Sequence, residues 1–181
     1  MSFSSDIKKE LCDVRELSPQ QAEAMLYGIM YASRMDEGRP LIQTENIDLM
    51  NAAAELIRAV FPNVRTGIVR LVKNSGSLYT LKIRSGWEDI AERFGDFSSI
   101  SREAVSGGDE ESGAFLRGVF VSCGSVTDPN KEYHLELVLP ENDRTPALLD
   151  FIAEHGMSLK ETTRGRACLL YTSPSPRDRS L

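Results

Sequence analysis

The chain has 181 residues, 41% of them hydrophobic, and a formal net charge of −6 at pH 7. That length fits one domain or one duplicated domain. The sequence has neither a membrane-spanning stretch nor the apolar core of a signal peptide, which predicts a cytoplasmic protein without membrane partners. The negative charge argues against tight DNA binding by this chain alone, because contacts to phosphates dominate such affinity, but it is compatible with a local basic face.

The first half of the chain reads as helix, hairpin, helix, hairpin, helix after a short N-terminal helix. Its clearest start signal is Ser18, which can cap a helix that begins at Pro19, while Gln21 completes a capping box. Apolar residues at helical spacing or in alternation define the other elements. They are a helix at 4–14, a helix at 19–34, strands at 31–35 and 40–44, a helix from Asn46 to Pro62, strands at 64–73 and 78–84, and a helix at 87–94.

The second half repeats this order. The pattern predicts a helix at 111–123, a turn at 128–131, a strand at 133–139, a helix from Thr145 that is closed by Gly156, and a strand near 157–163. The pattern then breaks off, so we expect the second half to lack its last strand and its closing helix. An unpaired strand edge at that point is an aggregation risk.

Two apolar helical segments, about ninety residues apart, resemble each other. One contains Gly28 followed by Ala32, and the other contains Gly118 followed by Ser122. Residues four positions apart share one face of a helix, and a face of small residues lets two helix backbones approach closely. The sequence therefore predicts a pseudo-symmetric fold whose halves meet along these helices, with the four small residues at the interface.

The double segment resembles the LAGLIDADG motif pair of homing endonucleases. Two stretches are similar to one branch of that group, the WhiA family of sporulation regulators: the opening Met-Ser-Phe-Ser-Ser and the run from Phe115 to Glu136. The resemblance extends from Met1 to about Ala167. It implies an α+β fold, namely a degenerate LAGLIDADG-like pseudo-twofold domain whose second half is incomplete.

The resemblance also implies a function: a DNA-binding transcription regulator, associated with the nucleoid, that acts in cell division, chromosome segregation and sporulation. Members of the family continue into a linker and a helix-turn-helix domain, which is expected to make most promoter contacts and is absent here. The implied partners are DNA, mainly through that C-terminal domain, and another transcription factor or a sigma factor. Three alternatives stay open: a protein-interaction module without its own DNA affinity, a LAGLIDADG endonuclease, and plain buried helix pairs in an unrelated α+β protein.

The expected organisation follows from these elements. After Tyr171 the chain has no periodicity and looks like a translated adapter sequence, so we exclude the tail from the fold; a natural disordered tail is the alternative. The predicted parts are an N-terminal helix at 1–17, a first LAGLIDADG-like half at 18–95, a connector at 96–110, a truncated second half at 111–167, and a non-native or disordered tail at 168–181.

The residues needed for nuclease chemistry are missing from both motif helices. In active LAGLIDADG enzymes each motif helix ends in an acidic residue, and the resemblance places Tyr31 and Val121 at those two positions. Neither side chain can bind the divalent metal that a pair of carboxylates would hold. The nearest acids, Asp36 and Asp128, lie five and seven residues farther along the chain. We therefore predict no catalytic residue, no metal site and no cofactor.

Five basic residues on the paired strands of the first half are the candidate DNA contacts, because the resemblance places a saddle-shaped sheet over DNA there. Strand alternation separates some of them onto opposite faces, so not all five can face one ligand, and scattered solvated charges are the alternative. Farther on, His134 and Glu136 share one strand face, which favours a cross-strand pair over a DNA contact. The five candidates are Arg65, Arg70, Lys73, Lys82 and Arg84.

Overall fold

The computed structural model describes residues 2–140 and 143–172. Its elements follow one another as two similar halves preceded by a short helix. The helices are α1 (Phe3–Leu11), α2 (Pro19–Tyr31), α3 (Ile47–Val60), α4 (Trp87–Phe94), α5 (Asp109–Cys123) and α6 (Thr145–Glu154). The strands are β1 (Arg34–Asp36), β2 (Arg39–Thr44), β3 (Arg65–Lys73), β4 (Gly76–Ser85), β5 (Gly124–Val126), β6 (Leu135–Leu139), β7 (Lys160–Arg164) and β8 (Ala167–Tyr171).

Side-chain caps explain where the helices of the first half begin. Ser18 Oγ accepts a hydrogen bond from the amide of Gln21 at 3.1 Å, and the Gln21 side chain accepts one from the Ser18 amide at 2.9 Å. This confirms the predicted capping box at the start of α2. Asn46 Oδ1 accepts a hydrogen bond from the amide of Asp48 at 2.9 Å and so caps α3 in the same way.

Each half contributes one four-stranded antiparallel sheet, and the two sheets have equivalent strand orders. The order is β1-β2-β4-β3 in the first half and β5-β6-β8-β7 in the second. The equivalent order relates the halves by a pseudo-twofold axis. This combination of helices and sheets confirms the predicted α+β class.

The second sheet corrects two expectations about the end of the chain. Strand β8 lies inside the sheet, between β6 and β7, although the sequence pattern predicted that this half lacks its last strand. Cys168 and Leu170 are fully buried, so the prediction of a non-native or disordered tail from residue 168 is wrong for residues 168–172. The run is too short to show its period without its neighbours, since β6 and β7 decide which side chains face the core. The expected closing helix and residues 173–181 lie outside the described residues.

The core is centred on the crossing of α2 and α5 and extends into an aromatic cluster. The Tyr27 ring stacks on Phe97 with centroids 5.4 Å apart, and the Phe115 ring meets Phe151 edge-on at 4.9 Å. The Tyr27 hydroxyl donates to the main-chain oxygen of Ser99 at 2.9 Å. The predicted connector at 96–110 is therefore not a loose linker, because part of it packs into the core through Phe97, which is 1% exposed.

Helix α1 precedes the first half in the chain, but hydrogen bonds from α5 hold its C-terminal end against the second half. The Arg117 guanidinium, on α5, donates to the main-chain oxygens of Leu11 at 2.7 Å and Asp13 at 2.6 Å. These bonds satisfy carbonyl groups that the end of a helix leaves without an internal partner. None of the helices in the described part of the chain combines the length and the apolar character of a membrane span.

Candidate nucleic-acid interface

The two motif helices cross at their glycines. A Cβ atom added to Gly28 would lie 2.1 Å from the main-chain oxygen of Phe115, and one added to Gly118 would lie 2.1 Å from that of Met25. Only a residue without a side chain allows this approach. One turn later, Ser122 Oγ donates to the main-chain oxygen of Ile29 at 3.4 Å across the same interface. Ala32, the small residue four positions after Gly28, is 3% exposed and is therefore buried.

The two positions that the resemblance assigned to the lost acids do not lie on a ligand-facing surface. Tyr31 and Val121 are 0% and 1% exposed, and the Tyr31 ring packs against Phe115 of the second half. The Tyr31 hydroxyl donates to the main-chain oxygen of Arg144 at 2.7 Å, and burial raises the Tyr31 pKa. A carboxylate at either position would be buried away from any DNA. The assignment of Tyr31 and Val121 to the acid positions therefore requires correction.

A cavity of about 390 Å³ lies where the ends of α2 and α5 meet the first strands of their sheets. Ser33 and Cys123, each two residues beyond the positions assigned above, line this cavity together with Lys8, Arg34 and Gln43. Ala32 and Ser122, one residue before this pair, also line the cavity, whereas Tyr31 and Val121 do not.

The groups at the two cavity positions do not suit a hard divalent cation. The Ser33 hydroxyl donates to the main-chain oxygen of Ile29 at 2.6 Å. Burial raises the pKa of the Cys123 thiol to about 12, so it stays protonated at neutral pH. Magnesium prefers carboxylate and other oxygen ligands. Within residues 2–140 and 143–172, no three acidic, histidine or cysteine side chains are grouped so that they could hold a metal.

The outer face of the first sheet, on the side away from the core, carries most of the candidate DNA contacts. Leu81 is 3% exposed and faces the core, so the next residue, Lys82, points to the outer face. Lys82 pairs with Gly67 in the β3–β4 register, which places Lys73, six residues farther along β3, on the same face. The Arg84 side chain covers Gly67, since a Cβ atom added to Gly67 would lie 2.3 Å from Arg84 Nε.

Two further arginines on the outer face were missed by the sequence analysis. Ile42 is buried, so Arg39 and Gln43, at odd positions of β2, face outward. Arg34 pairs with Leu41 in the β1–β2 register and therefore lies on the same side. The alternation of β2 was available from the sequence, but only the register of β1, β2 and β4 shows that these residues share a face with Lys82. We call Arg34, Arg39, Lys73, Lys82 and Arg84 the basic face.

The other two candidates lie elsewhere. Arg70 pairs with Tyr79, two residues from Leu81, and thus belongs to the opposite face, where its Nε donates to Ser77 Oγ at 2.9 Å. Arg65 stands at a register shift between β3 and β4 and donates to the main-chain oxygen of Pro62 at 3.0 Å. Strand alternation alone would put Arg65 on the same face as Lys73, eight residues away, and the shift breaks that alternation.

The outer face of the second sheet is less basic. Ser125 Oγ donates to Glu136 Oε1 at 3.1 Å, and the His134 ring lies 3.4 Å from the other oxygen of the same carboxylate. Val138 and Leu169 pair next to this group and make that face partly apolar. Lys160 and Arg164 of β7 stand on this face too, since they pair with Tyr171 and Ala167, two residues to either side of Leu169. Glu136 thus has partners within the protein, and this face carries two Lys and Arg side chains against the five of the basic face.

The comparisons with known proteins agree with this fold. Residues 112–175 match the family model of the WhiA LAGLIDADG-like domain, and the match includes the strand β8 that the sequence pattern had excluded from the fold. The chain is 30% identical over 196 residues to the probable cell division protein WhiA of Clostridium novyi (strain NT), with 94% of this chain and 60% of that protein covered. The chain thus spans about 60% of the length of the curated relatives it matches.

Solved structures show the same fold. The crystal structure of the N-terminal LAGLIDADG domain of WhiA matches with a TM-score of 0.71 and 19% identity, over 99% of this chain and 89% of that one. The crystal structure of I-DmoI in complex with DNA and Mn matches with a TM-score of 0.55 and 15% identity, over 90% of this chain and 94% of that one.

Proposed function

On the premise that this chain carries the LAGLIDADG-like domain of the WhiA family, we propose that it is part of a DNA-binding transcription regulator of the WhiA type. It acts in cell division, chromosome segregation and sporulation, in the cytoplasm at the nucleoid. A helix-turn-helix domain in the whole protein makes most of the promoter contacts, and the present domain adds weak, salt-dependent contacts to DNA phosphates.

The observation that carries this proposal is the basic face. Five Lys and Arg side chains stand on one side of the first sheet, and I-DmoI, a protein of the same fold, was solved in complex with DNA and Mn. Such side chains bind phosphates without reading the sequence, so they position a protein on the duplex. The net charge of −6 keeps this affinity modest, because the rest of the surface repels DNA.

The proposed domain does not cut DNA. The cavity between the helix ends offers a hydroxyl and a protonated thiol where metal-dependent hydrolysis would need carboxylates. The side chains of Lys8 and Arg34 add positive charge to the same cavity, which favours an anion over a cation there. The relatives that the chain matches are named as probable cell division proteins.

Titration of a labelled DNA duplex with the 181-residue chain, at two salt concentrations and with Mg²⁺, tests this proposal. The double variant K82A/R84A removes two charges from the basic face, and R65A/R70A removes two charges from outside it. We expect K82A/R84A to lower the slope of log affinity against log salt by about 2, since each lost phosphate contact lowers it by about 1. The control variant should keep the original slope.

Three results would contradict the proposal in different ways. Equal effects of the two double variants would mean that the charges act without a defined face. An absence of salt-dependent binding would favour the alternative, a protein-interaction module without its own DNA affinity. The negative net charge is the observation that favours this alternative. Nicking of plasmid DNA that depends on Mg²⁺ would show a nuclease.

A further inference from the structure

Strand β3 is a long outer edge with aliphatic side chains exposed on both faces. It pairs with β4 on one side and ends the strand order of its sheet on the other. Ile68, Val69, Leu71 and Val72 are 45%, 44%, 56% and 70% exposed. Alternate main-chain N–H and C=O groups of an edge strand point away from the sheet and can pair with another strand. The β3 edge therefore offers both hydrogen bonds and apolar contacts to an extended peptide.

The pseudo-twofold axis provides an internal comparison. The equivalent edge of the second sheet, β7, is five residues long, and all of its residues, Lys-Glu-Thr-Thr-Arg, are polar and exposed. The other two edges, β1 and β5, have three residues each. Short or charged edges are the usual protection against unwanted strand pairing. Among the described strands that end a sheet, β3 alone is both long and aliphatic, which indicates a binding role that the other edges do not share.

The charges of β3 indicate what kind of strand it would accept. The strand carries Arg65, Arg70 and Lys73 and contains no acidic residue. Two copies of β3 paired antiparallel about Val69 would set Arg65 opposite Lys73 at both ends, and like charges in that position repel. A second copy of this chain is therefore a poor occupant, whereas a strand with acidic side chains on one face would complement Arg70, which stands on the face opposite the basic face.

We propose that β3 binds an extended segment of a protein partner, in which aliphatic and acidic residues alternate, by adding it as a fifth strand to the first sheet. Main-chain hydrogen bonds along β3 provide the affinity, and the aliphatic and basic side chains provide the selectivity. With its acidic side chains on the Arg70 side of the sheet, the added strand leaves Lys82 and Arg84 of the basic face uncovered, so the interaction is independent of the DNA contacts proposed above.

A synthetic peptide of nine residues that alternates valine and glutamate, with blocked ends, is a suitable probe. We expect saturable binding in fluorescence anisotropy and much weaker binding of the same peptide with lysine in place of glutamate. Hydrogen exchange should show outward-facing amides of β3 protected by about tenfold in the complex, with the amides of β7 unchanged. The variant L71S/V72S should weaken binding by about tenfold, since it removes exposed apolar surface. The variant T162S/R164S on β7 is the matched control.

Each other outcome overturns the proposal. Equal binding of the acidic and basic peptides, or protection at β7 in place of β3, would show that the edge does not select its partner by charge. A lack of binding would show that the edge is closed to strand addition. Dimer formation in sedimentation that L71S/V72S abolishes would make a second copy the occupant. Loss of DNA binding in L71S/V72S would assign the edge to DNA.

Discussion

At the scale of single residues, Arg144 shows how one side chain joins the two halves. Arg144 is 2% exposed, and its guanidinium donates hydrogen bonds to the main-chain oxygens of Tyr31 and, at 2.9 Å, Ser33. Its positive charge also complements the partial negative charge at the end of α2. No local pattern indicates this role, because more than a hundred residues separate Arg144 from its partners along the chain.

Replacing Arg144 by leucine should lower the free energy of unfolding by about 2–4 kcal/mol, because two buried carbonyl oxygens lose their donors. Urea unfolding measures this loss. Arg102 provides the control, since its exposed guanidinium pairs with exposed Glu154 at 3.2 Å and R102L should change stability by less than about 0.5 kcal/mol. Similar losses in both variants would disprove a special role for Arg144.

At the scale of elements, local signals in the sequence placed most helices and strands and the two hairpins of the first half, but not the pairing of strands distant in the chain. The capping box at Ser18 and the amphipathic pattern of Trp87–Phe94 are complete within a few residues. Helix α4 has the predicted bounds, and α2 begins at the predicted residue but ends at Tyr31 and not at Arg34. Strand β5 has three residues, too few to show an alternation, and the sequence analysis missed it. The face on which Arg65 lies depends on a register shift that only the pairing of β3 with β4 reveals.

The crossing of α2 and α5 gives the prediction that belongs to this scale. The variants G28A and G118A should each cost about 3 kcal/mol, because the new methyl group meets main-chain atoms of the other helix that cannot move without separating the halves. Gly113, also in α5, has no atom within 4 Å of an added Cβ. G113A should therefore stabilise the protein by about 0.5–1 kcal/mol through helix propensity. Thermal unfolding of the three variants measures these changes in stability. G28A and G118A proteins as stable as the original would refute the close approach of the two helices.

At the scale of the whole molecule, buried acids that favour their neutral form make the fold sensitive to high pH. Burial raises the pKa of Cys12 to about 11 and of Cys123 to about 12, and it also raises the pKa values of Tyr27 and Tyr31. In the unfolded chain these groups ionise near their ordinary values. Their contribution to stability is thus complete below pH 8.5 or so and is lost as pH rises toward the folded-state values.

We therefore expect the free energy of unfolding to be level near neutral pH and to fall between about pH 9 and 11. Burial also raises the pKa of the Cys168 thiol. Burial lowers the pKa of Lys8, which acts in the opposite direction, but it is one group against five. Urea unfolding at a series of pH values measures the slope. The variant C123A should flatten the decline, since it removes one of the five groups. A stability that rises over this interval would contradict the assignment.

By itself, the sequence determined the α+β class, the duplicated motif helices and the resemblance to the WhiA family, and the comparisons and the fold confirm all three. These properties depend on residues close together in the chain or on stretches of sequence long enough to be specific to one family. Only the tertiary structure decided that β8 belongs to the sheet, that Ser33 and Cys123 line the cavity between the helix ends, and that five basic residues share one face. The physical reason is that burial, strand register and helix crossing are set by contacts between distant segments, which a local pattern does not contain.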